Sequence, residues 1–482
     1  MIHFKEIAKI MGALLVLISL LMLPGVGFSL HFNEDPWPVL SSAVITMVIG
    51  GILFFSFSKQ DQNIRKREGY LIVSLSWIFM AGFGMLPFIL SHEIYSFSDA
   101  LFETTSGITT TGASILNDIE AMPKGLLFWR SMLQWIGGLG IIVLTVAIFP
   151  LLGIGGIELF VAESPGPTSD KVHPRISETA KRLWYVYVGL TIAATLLYWV
   201  GGMTFYDAIN HALTTLATGG FSTKNASMAY YDSAFIQYTA IFFMFLAGTN
   251  FTVIYFGLVG KFRRVLKSDE FKAYAFIVLA TSVVLFFPIF TKIGSDAELA
   301  FRKSAFQVVS LITTTGFVSD DYTQYGQGMT FICFILLFVG GSAGSTAGGI
   351  KFVRHLTFFK NSYLEFKRLV HPRAIVPLII NGDRVTGRIV THIMNFLLLY
   401  LLIFVFGAFV LSIMGYDLET SLGATATCLG NVGPAIGKVG PVDNFSFFSP
   451  TAKIFLSFIM LLGRLELFTI LILFTPFFWR AN

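Results

Sequence analysis

Long apolar stretches alternate with short polar segments along the whole chain, and this pattern predicts membrane-spanning helices. About 20 apolar residues are enough to cross a bilayer. Such stretches run roughly over 8–30, 37–58, 70–91, 125–151, 184–202, 233–259, 271–293, 328–355, 388–414 and 451–479. We therefore expect an all-α polytopic membrane protein with ten transmembrane helices, the first of them retained and not cleaved as a signal peptide.

Composition and charge support the same fold class and add an orientation. The chain is 55% hydrophobic and only 13% charged, about half the charge of a typical soluble domain. Most of its Lys and Arg fall in 59–69, 152–183, 260–270 and 351–390 and at the C-terminus. Because basic loops stay on the cytoplasmic side, both termini are predicted to be cytoplasmic. The two cysteines imply neither a disulfide framework nor a metal knuckle.

Four segments between successive spans share one pattern. They are FSDALFETTSGITTTGAS, FYDAINHALTTLATGGFS, FRKSAFQVVSLITTTGFVS and LETSLGATATCLGNVGPA. When they are aligned on a loop glycine, apolar and small residues fall at common positions before it, and each following span carries another glycine. The loop glycines are Gly112, Gly220, Gly316 and Gly433, and the span glycines are Gly138, Gly248, Gly341 and Gly463. Four tandem helix–pore loop–helix repeats are predicted.

Each of these segments reads as a short helix that leads into an extended loop. About eleven helical residues reach only half-way through a hydrocarbon core of about 30 Å. Irregular backbone at that depth is tolerated only where it is buried in protein or lines water. Ordinary Thr- and Gly-rich extracellular loops are the alternative, but four in register favour re-entrant loops around one pore.

The loops are suited to a monovalent cation. They read TTTG (109–112), ATGG (217–220), TTTG (313–316) and GNVG (430–433). Backbone carbonyls can replace the water around potassium, and glycine lets the chain approach an ion closely. No acidic residue lies in the loops, which argues against a divalent cation. Asp320 and Asp321 either add negative potential at the outer mouth or are solvated charges, and the second reading is favoured.

Here the sequence resembles the Trk/Ktr/HKT superfamily of potassium transporters. Two additional N-terminal helices, the ATGGFST loop and LLGRLELFTILI near the C-terminus resemble its bacterial Trk branch. The resemblance covers nearly the whole chain. It implies that potassium passes the loop residues at and just before each glycine, with the fourth loop departing from the Thr-rich pattern. These residues are Thr110, Thr111, Gly112, Thr218, Gly219, Gly220, Thr314, Thr315, Gly316, Asn431, Val432 and Gly433.

A run of small residues at 340–349, GGSAGSTAGG, interrupts the second span of the third repeat. Each glycine disfavours helix by about 1 kcal/mol relative to alanine, so an unwound segment is predicted here, with close helix packing as the alternative. The resemblance implies an intramembrane gate. Its predicted residues are Gly341, Ser342, Gly344, Ser345, Thr346, Gly348, Gly349 and Arg464.

Arg464 reads as the one basic residue deep in a span. A charge there must face the pore, a partner or water. Below the loops it would repel a cation and help to close the path. The alternative is a structural pairing with Glu466 or with carbonyls of a neighbouring helix, and the pore-facing role is favoured. His211 and His392 are assigned no role.

Two other functional classes were weighed. Residues 340–344 match G-x-S-x-G, but no partner histidine is evident, so an intramembrane hydrolase is not expected. Residues Gly344 to Lys351 lack the G-K-[ST] ending of a P-loop, so an ATPase is not expected either. A proton- or sodium-coupled symporter stays the alternative to a channel-like path. Because all four loops enter from outside, the channel-like path is preferred.

The predicted units are an N-terminal two-helix unit (1–69) and four pore repeats (70–165, 166–265, 266–370 and 371–482). The resemblance also implies a location in the bacterial inner membrane, a homodimer and a TrkA-like cytoplasmic nucleotide-binding ring. Any nucleotide, whether ATP, ADP or NAD, would then bind the partner, and potassium would be the only ion carried. No nucleic-acid role is expected.

Overall fold

The fold is almost entirely helical. It is taken from a computed structural model that describes residues 3–57, 66–140, 176–294 and 296–480. The end of the predicted span 125–151 and much of the predicted inner loops 59–69 and 152–183 lie outside the described residues. A two-residue hairpin, Ile379–Ile380 with Asp383–Arg384, is the β-structure among the described residues.

Helices occupy most of the predicted spans. The long ones are Phe4–His31, Trp37–Ser56, Lys66–Gly84, Ile176–Val200, Asp269–Ile293, Phe352–Val370 and Gly387–Ile413. Shorter α-helices are Leu86–Leu90, Phe97–Ile108, Lys124–Trp135, Phe205–Leu216, Ala234–Ala247, Phe251–Leu258, Phe262–Lys267, Ala297–Ile312, Gln327–Leu336, Leu418–Gly430, Pro450–Arg464, Leu467–Leu471 and Pro476–Trp479. A π-helical turn covers Ile136–Gly140, and 3₁₀ turns cover Ser227–Tyr230, Tyr322–Tyr325, Gly437–Val439 and Ile472–Phe474.

Polar caps set where several of these helices begin. The side chains of Thr204, Asp296, Asp417 and Ser449 each accept a hydrogen bond from a first-turn backbone N–H. Such caps satisfy donors that have no partner within the helix. Three of these four caps begin short helices in front of the Gly-containing loops, so the start of those three helices is encoded locally.

Among the described residues, six helices are long and apolar enough to cross a membrane, or up to eight if each of two sharply bent pairs forms one span. The protein is thus a helical, multi-pass membrane protein, as predicted. The number ten stays a prediction, because 125–151 is described only in part and 328–355 is interrupted.

The four short helices, named here pore helices 1 to 4, lie between the spans in a circular order. They are Phe97–Ile108, Phe205–Leu216, Ala297–Ile312 and Leu418–Gly430. Each packs on the span that precedes it in the chain. Pore helices 2 and 3 also pack on the second span of the preceding repeat, and pore helix 1 packs on Pro450–Arg464 near the C-terminus. The last repeat therefore closes against the first.

The second spans of the repeats differ from the prediction. Residues 233–259 and 451–479 were predicted as continuous spans, but their helices bend by 111° and 115°. In 328–355 the helix ends at Leu336 and resumes at Phe352, so the break begins before residue 340. In the first repeat the backbone kinks at Gly138. All four breaks fall at or beside the second shared glycine, a residue that favours such breaks because it stabilises helix poorly.

Candidate functional site

The four loops after the pore helices have the same backbone conformation. Thr110, Thr218, Thr314 and Asn431 are left-handed, with φ between 53° and 55°. Two residues later, the four loop glycines also have positive φ, between 74° and 104°. The left-handed state costs an L-residue roughly 1–2 kcal/mol, and threonine adopts it rarely. Four repetitions of this rare conformation at aligned positions indicate one shared local structure.

Hydrogen bonds at the helix ends hold this conformation. The N–H groups of Thr111, Gly219 and Thr315 each donate to a carbonyl in the last turn of their own pore helix over 2.9 Å. Val432 does the same over 3.1 Å. This is the arrangement in which a left-handed residue normally ends a helix, and it satisfies carbonyls that would otherwise lack a partner. Each pore helix therefore ends in a turn that leads directly into its loop.

The loops meet one another in a closed ring. A Cβ atom built on each loop glycine would lie closer than 3.0 Å to the carbonyl oxygen of the residue before the next loop's glycine. Gly112 meets Gly219, Gly220 meets Thr315, Gly316 meets Val432, and Gly433 meets Thr111. Because the fourth contact returns to the first loop, the sequence-predicted loop residues share one location in the fold. No side chain fits at these glycines without moving the neighbouring backbone.

Threonine and asparagine side chains link the loops further. The hydroxyls of Thr109 and Thr111 are 2.7 Å apart, and the equivalent pair in loop 3 is 2.8 Å apart. The Asn431 amide donates to the Thr111 hydroxyl over 3.0 Å, which joins loop 4 to loop 1. Oγ1 of Thr110 and Oδ1 of Asn431 are buried and have no hydrogen-bond partner within the described part of the chain. These oxygens can accept a hydrogen bond from water or coordinate a cation.

The side of the ring formed by the residues that follow the loop glycines faces an open cavity of about 100 Å³. All four loop glycines line it, together with Arg130, Lys224 and Asp443. The pore helices approach the ring with their C-terminal ends. The partial negative charge of a helix C-terminus favours a cation nearby. The helix ends and the main-chain oxygens beside this cavity can therefore interact with a cation.

The glycine-rich segment 340–349 is non-helical and lies against the ring. The N–H of Gly348 donates to the Thr314 hydroxyl over 2.6 Å. A Cβ atom on Gly348 would lie 2.7 Å from the carbonyl oxygen of Gly430. The segment thus touches loops 3 and 4 directly.

The same segment also fills the break in the second repeat. The N–H of Ser342 donates to the carbonyl of Gly248 over 2.8 Å, and the Thr346 hydroxyl donates to that of Ala247 over 3.0 Å. These two carbonyls lie at the 111° bend, where helical partners are lost. Unwound backbone at membrane depth requires such replacement partners. Ser345 bonds within the segment, whereas Gly344 accepts from Phe251.

Arg464 contacts backbone carbonyls from two other repeats. It donates to Thr346 over 2.8 Å, and to Gly137 and Gly138 over 2.6 and 2.8 Å. Of the predicted alternatives, the structure has the carbonyl contacts, while Glu466 forms an ion pair with Arg354 at 2.5 Å. Arg464 therefore ties the glycine-rich segment to the kink of the first repeat.

Sequence analysis missed several buried basic residues among those that the structure describes. Only Arg464 was singled out as a basic residue deep in a span, yet it is partly buried, whereas Arg130 is only 2% exposed and Lys453 only 5%. Their charges are tolerated because each has a carboxylate partner at 2.6 Å, Glu103 for Arg130 and Asp99 for Lys453. The sequence shows one member of each pair in a pore-helix segment and the other in an apolar span, but it does not show that the two are partners.

Other singled-out residues have structural contacts. Asp320 pairs with Lys303 at 2.8 Å, and Asp321 caps the turn Tyr322–Tyr325. Next to Asp320, burial and the neighbouring carboxylate raise the pKa of Tyr325. His211 hydrogen-bonds to Asp207 and Ser222, and the two cysteines are buried and unbridged. Both aspartates thus have structural contacts in the segment that follows the third loop.

The fold and the ring define a membrane protein whose short helices and loops meet around one centre. Its relatives identify the family. The family model described as "TrkH: Cation transport protein" matches residues 38–295 and 295–481. The chain belongs to the TrkH family of cation transport proteins.

Relatives that align over nearly the whole chain carry names from the same family. The Trk system potassium uptake protein TrkH of Escherichia coli K12 is 39% identical and covers 99% of this chain and 100% of its own length. TrkI of Halomonas elongata is 34% identical, covering 99% of this chain and 97% of its own length. The crystal structure of the potassium transporter TrkH from Vibrio parahaemolyticus matches with a TM-score of 0.89 and 38% identity, over 99% of this chain and all of that one. The relatives are named as transporters, which agrees with the prediction that the chain is not an enzyme.

Proposed function

We propose that this protein takes up potassium across the bacterial inner membrane through a channel-like path. The single observation that supports this most strongly is the closed ring of loops, in which each glycine meets a carbonyl of the next loop. The names of the relatives, which are potassium uptake proteins, support the choice of ion.

Main-chain oxygens of the ring act as ligands in this proposal. A cation of low charge loses its water only where several oxygens replace it, and carbonyls at fixed spacing serve potassium in this way. The unpartnered Thr110 and Asn431 oxygens support further ligation at the same level. The potassium-binding residues are then Thr110, Thr111, Gly112, Thr218, Gly219, Gly220, Thr314, Thr315, Gly316, Asn431, Val432 and Gly433. We expect the ring to prefer potassium to sodium without excluding sodium completely.

The glycine-rich segment and Arg464 form the gate in this proposal. Contacts to loops 3 and 4 put the segment against the ring, and Arg464 links it to the first repeat. A positive charge there repels a cation, and the segment must move for ions to pass. Gate residues are Gly341, Ser342, Gly344, Ser345, Thr346, Gly348, Gly349 and Arg464.

The wider assembly is also part of the proposal. The chain is divided as 1–69, 70–165, 166–265, 266–370 and 371–482, with both termini in the cytoplasm. Two copies form a homodimer that is regulated by a TrkA-like nucleotide-binding ring. Basic residues of the 260–270 region, such as Arg263 and Arg264, are compatible with an inner side.

Flux from liposomes tests the proposal. The purified protein is reconstituted, and uptake of potassium, rubidium and sodium is measured in turn, with no other ion gradient. Potassium and rubidium uptake faster than sodium uptake is expected. Uptake that requires a proton or sodium gradient would instead establish the alternative, a coupled symporter. Uptake of none of the three ions under either condition would overturn the assignment.

A further inference from the structure

The pore helices carry side chains that reach past their own loops. In the alignment on the loop glycines, Glu103, His211 and Gln307 occupy one position, and Ala424 holds it in the fourth repeat. His211 hydrogen-bonds to the Ser222 hydroxyl over 2.9 Å, and Gln307 donates to the Asp320 carbonyl over 2.8 Å. Both contacts lie in the part of each loop that follows its glycine. This part is called the outer strand of the loop here, although it is not a β-strand. One helix position therefore supports the outer strand in three of the four repeats.

In the first repeat this support comes from a salt bridge between Glu103 and Arg130. Glu103 is 0% exposed. It accepts hydrogen bonds from the Ser114 hydroxyl over 3.0 Å and from the Ile115 N–H over 2.9 Å, both on the outer strand of loop 1. Its other partner is Nε of Arg130 at 2.6 Å.

Arg130 connects this carboxylate to the next loop. Its guanidinium donates to the Ser222 carbonyl over 3.1 Å and lies 3.5 Å from the centre of the Phe221 ring. Both residues directly follow Gly220. Glu103 and Arg130 thus join the outer strand of loop 1 to that of loop 2 through one continuous set of hydrogen bonds.

We propose that Glu103 and Arg130 are positioning residues for ion selectivity, which fix the spacing between the first two loops of the ring. This inference rests on the proposed function, because it concerns discrimination among ions in that ring. Small displacements of carbonyls change which ion they suit. A guanidinium directs its donors in a fixed plane, so its geometry matters as well as its charge.

A simpler explanation is that the two charges act on the passing cation through space. That explanation makes distinct predictions. Removing the carboxylate would then disfavour cations and removing the guanidinium would favour them, so the two changes would shift transport in opposite directions. A positioning role predicts the same direction for both, since either change releases the same two strands.

The test compares Glu103→Gln, Arg130→Gln, the double variant and Arg130→Lys in liposomes, with the ratio of rubidium to sodium uptake as the readout. Each single change should lower the ratio about fivefold. The ratio in the double variant should be no lower than in either single variant, because the effects of coupled partners are not additive. Arg130→Lys keeps the charge but should also lower the ratio. A ratio does not depend on how much protein folds, so loss of yield cannot imitate this result.

Asp99→Asn is the matched control. Asp99 lies on the same pore helix and pairs with Lys453, which also donates to the Ser446 carbonyl. Within the described part of the chain, Asp99 bonds to Lys453 and not to residues 109–116 or 217–223 of the first two loops, so the ratio in Asp99→Asn should stay that of the wild type. Opposite shifts in the uptake rates of Glu103→Gln and Arg130→Gln, normalised to folded protein, or wild-type ratios in both, would overturn the inference. Wild-type protein without any ion preference would instead refute the proposed function.

Discussion

The four loops share one structure, whereas the four spans that follow them differ in structure. The loops repeat one backbone conformation, with left-handed residues within 2° of one another in φ. The spans repeat only the position of their break. One has a π-helical kink, two bend by 111° and 115°, and one unwinds from Leu336 to Phe352.

This contrast follows from what each region contacts. A loop must meet two neighbours in a ring, so a change in one quarter disturbs contacts on both sides. A span needs only to turn away beneath its loop and find partners for its freed carbonyls. In the second repeat those partners come from the glycine-rich segment, and in the first from Arg464. The spans are therefore free to differ, and the difference provides the proposed gate.

The largest effect is expected from Gly316→Ser in the ring. The new Cβ atom would meet the Val432 carbonyl in a backbone with φ of 76°, so the neighbouring loop must shift. We expect the ratio of potassium to sodium uptake to fall by about tenfold or more, because the shift moves the proposed ligands. Gly328→Ser is the control, since its Cβ would have nothing within 4 Å. Unchanged selectivity and rate in Gly316→Ser would contradict the ring as a filter.

A smaller and opposite effect is expected from Arg464→Ala in the spans. The change removes three hydrogen bonds to carbonyls and a positive charge below the ring. Potassium flux should rise by roughly threefold to tenfold, with the potassium-to-sodium ratio unchanged. Flux in liposomes, normalised to the amount of folded protein, measures this. A large loss of flux in protein that elutes normally would mean that Arg464 supports the path and does not close it.

Stability is the expected readout for Gly463→Ala. This glycine lies against the carbonyl of Leu429, at the end of pore helix 4, and a Cβ atom has no room there. Overpacking of this kind costs roughly 1–3 kcal/mol, so the midpoint of thermal unfolding should fall by several degrees. Gly51→Ala, in an open helical position, should leave it unchanged or raise it. Equal midpoints for the two variants would show that the span tolerates a shift.

The smallest effect is expected from Asp321→Asn, in the segment that follows the third loop. Asparagine caps a helical turn about as well as aspartate, so the turn Tyr322–Tyr325 should persist. If Asp321 is a solvated capping charge, potassium uptake at low ionic strength changes by less than about twofold. A severalfold loss that disappears in high salt would instead reveal a role in attracting cations.

Much of this architecture follows from the sequence because its repeats carry local signals. The length of the apolar stretches predicts the spans, and the aligned glycines predict the loops. The left-handed threonines were not foreseen, since threonine is a poor candidate for that conformation. Only the surrounding ring, which over-determines the backbone, makes it favourable.

The bends were missed for a related reason. Gly248 and Gly463 lie in apolar stretches that are long enough for a straight span, and hydropathy does not report a turn. The shared glycine in each span was visible, but its meaning depends on contacts from distant repeats. Likewise, the pairing of Glu103 with Arg130 depends on how two helices pack, and no spacing rule along one helix predicts it.

The ring described above is made by one polypeptide, and this has a consequence for engineering. In an assembly of identical subunits, every substitution appears in all sectors at once. Here a change at Thr110 leaves Thr218, Thr314 and Asn431 as they are. The ligand field can therefore be altered one quarter at a time, and a graded series of variants can measure how many quarters an ion needs.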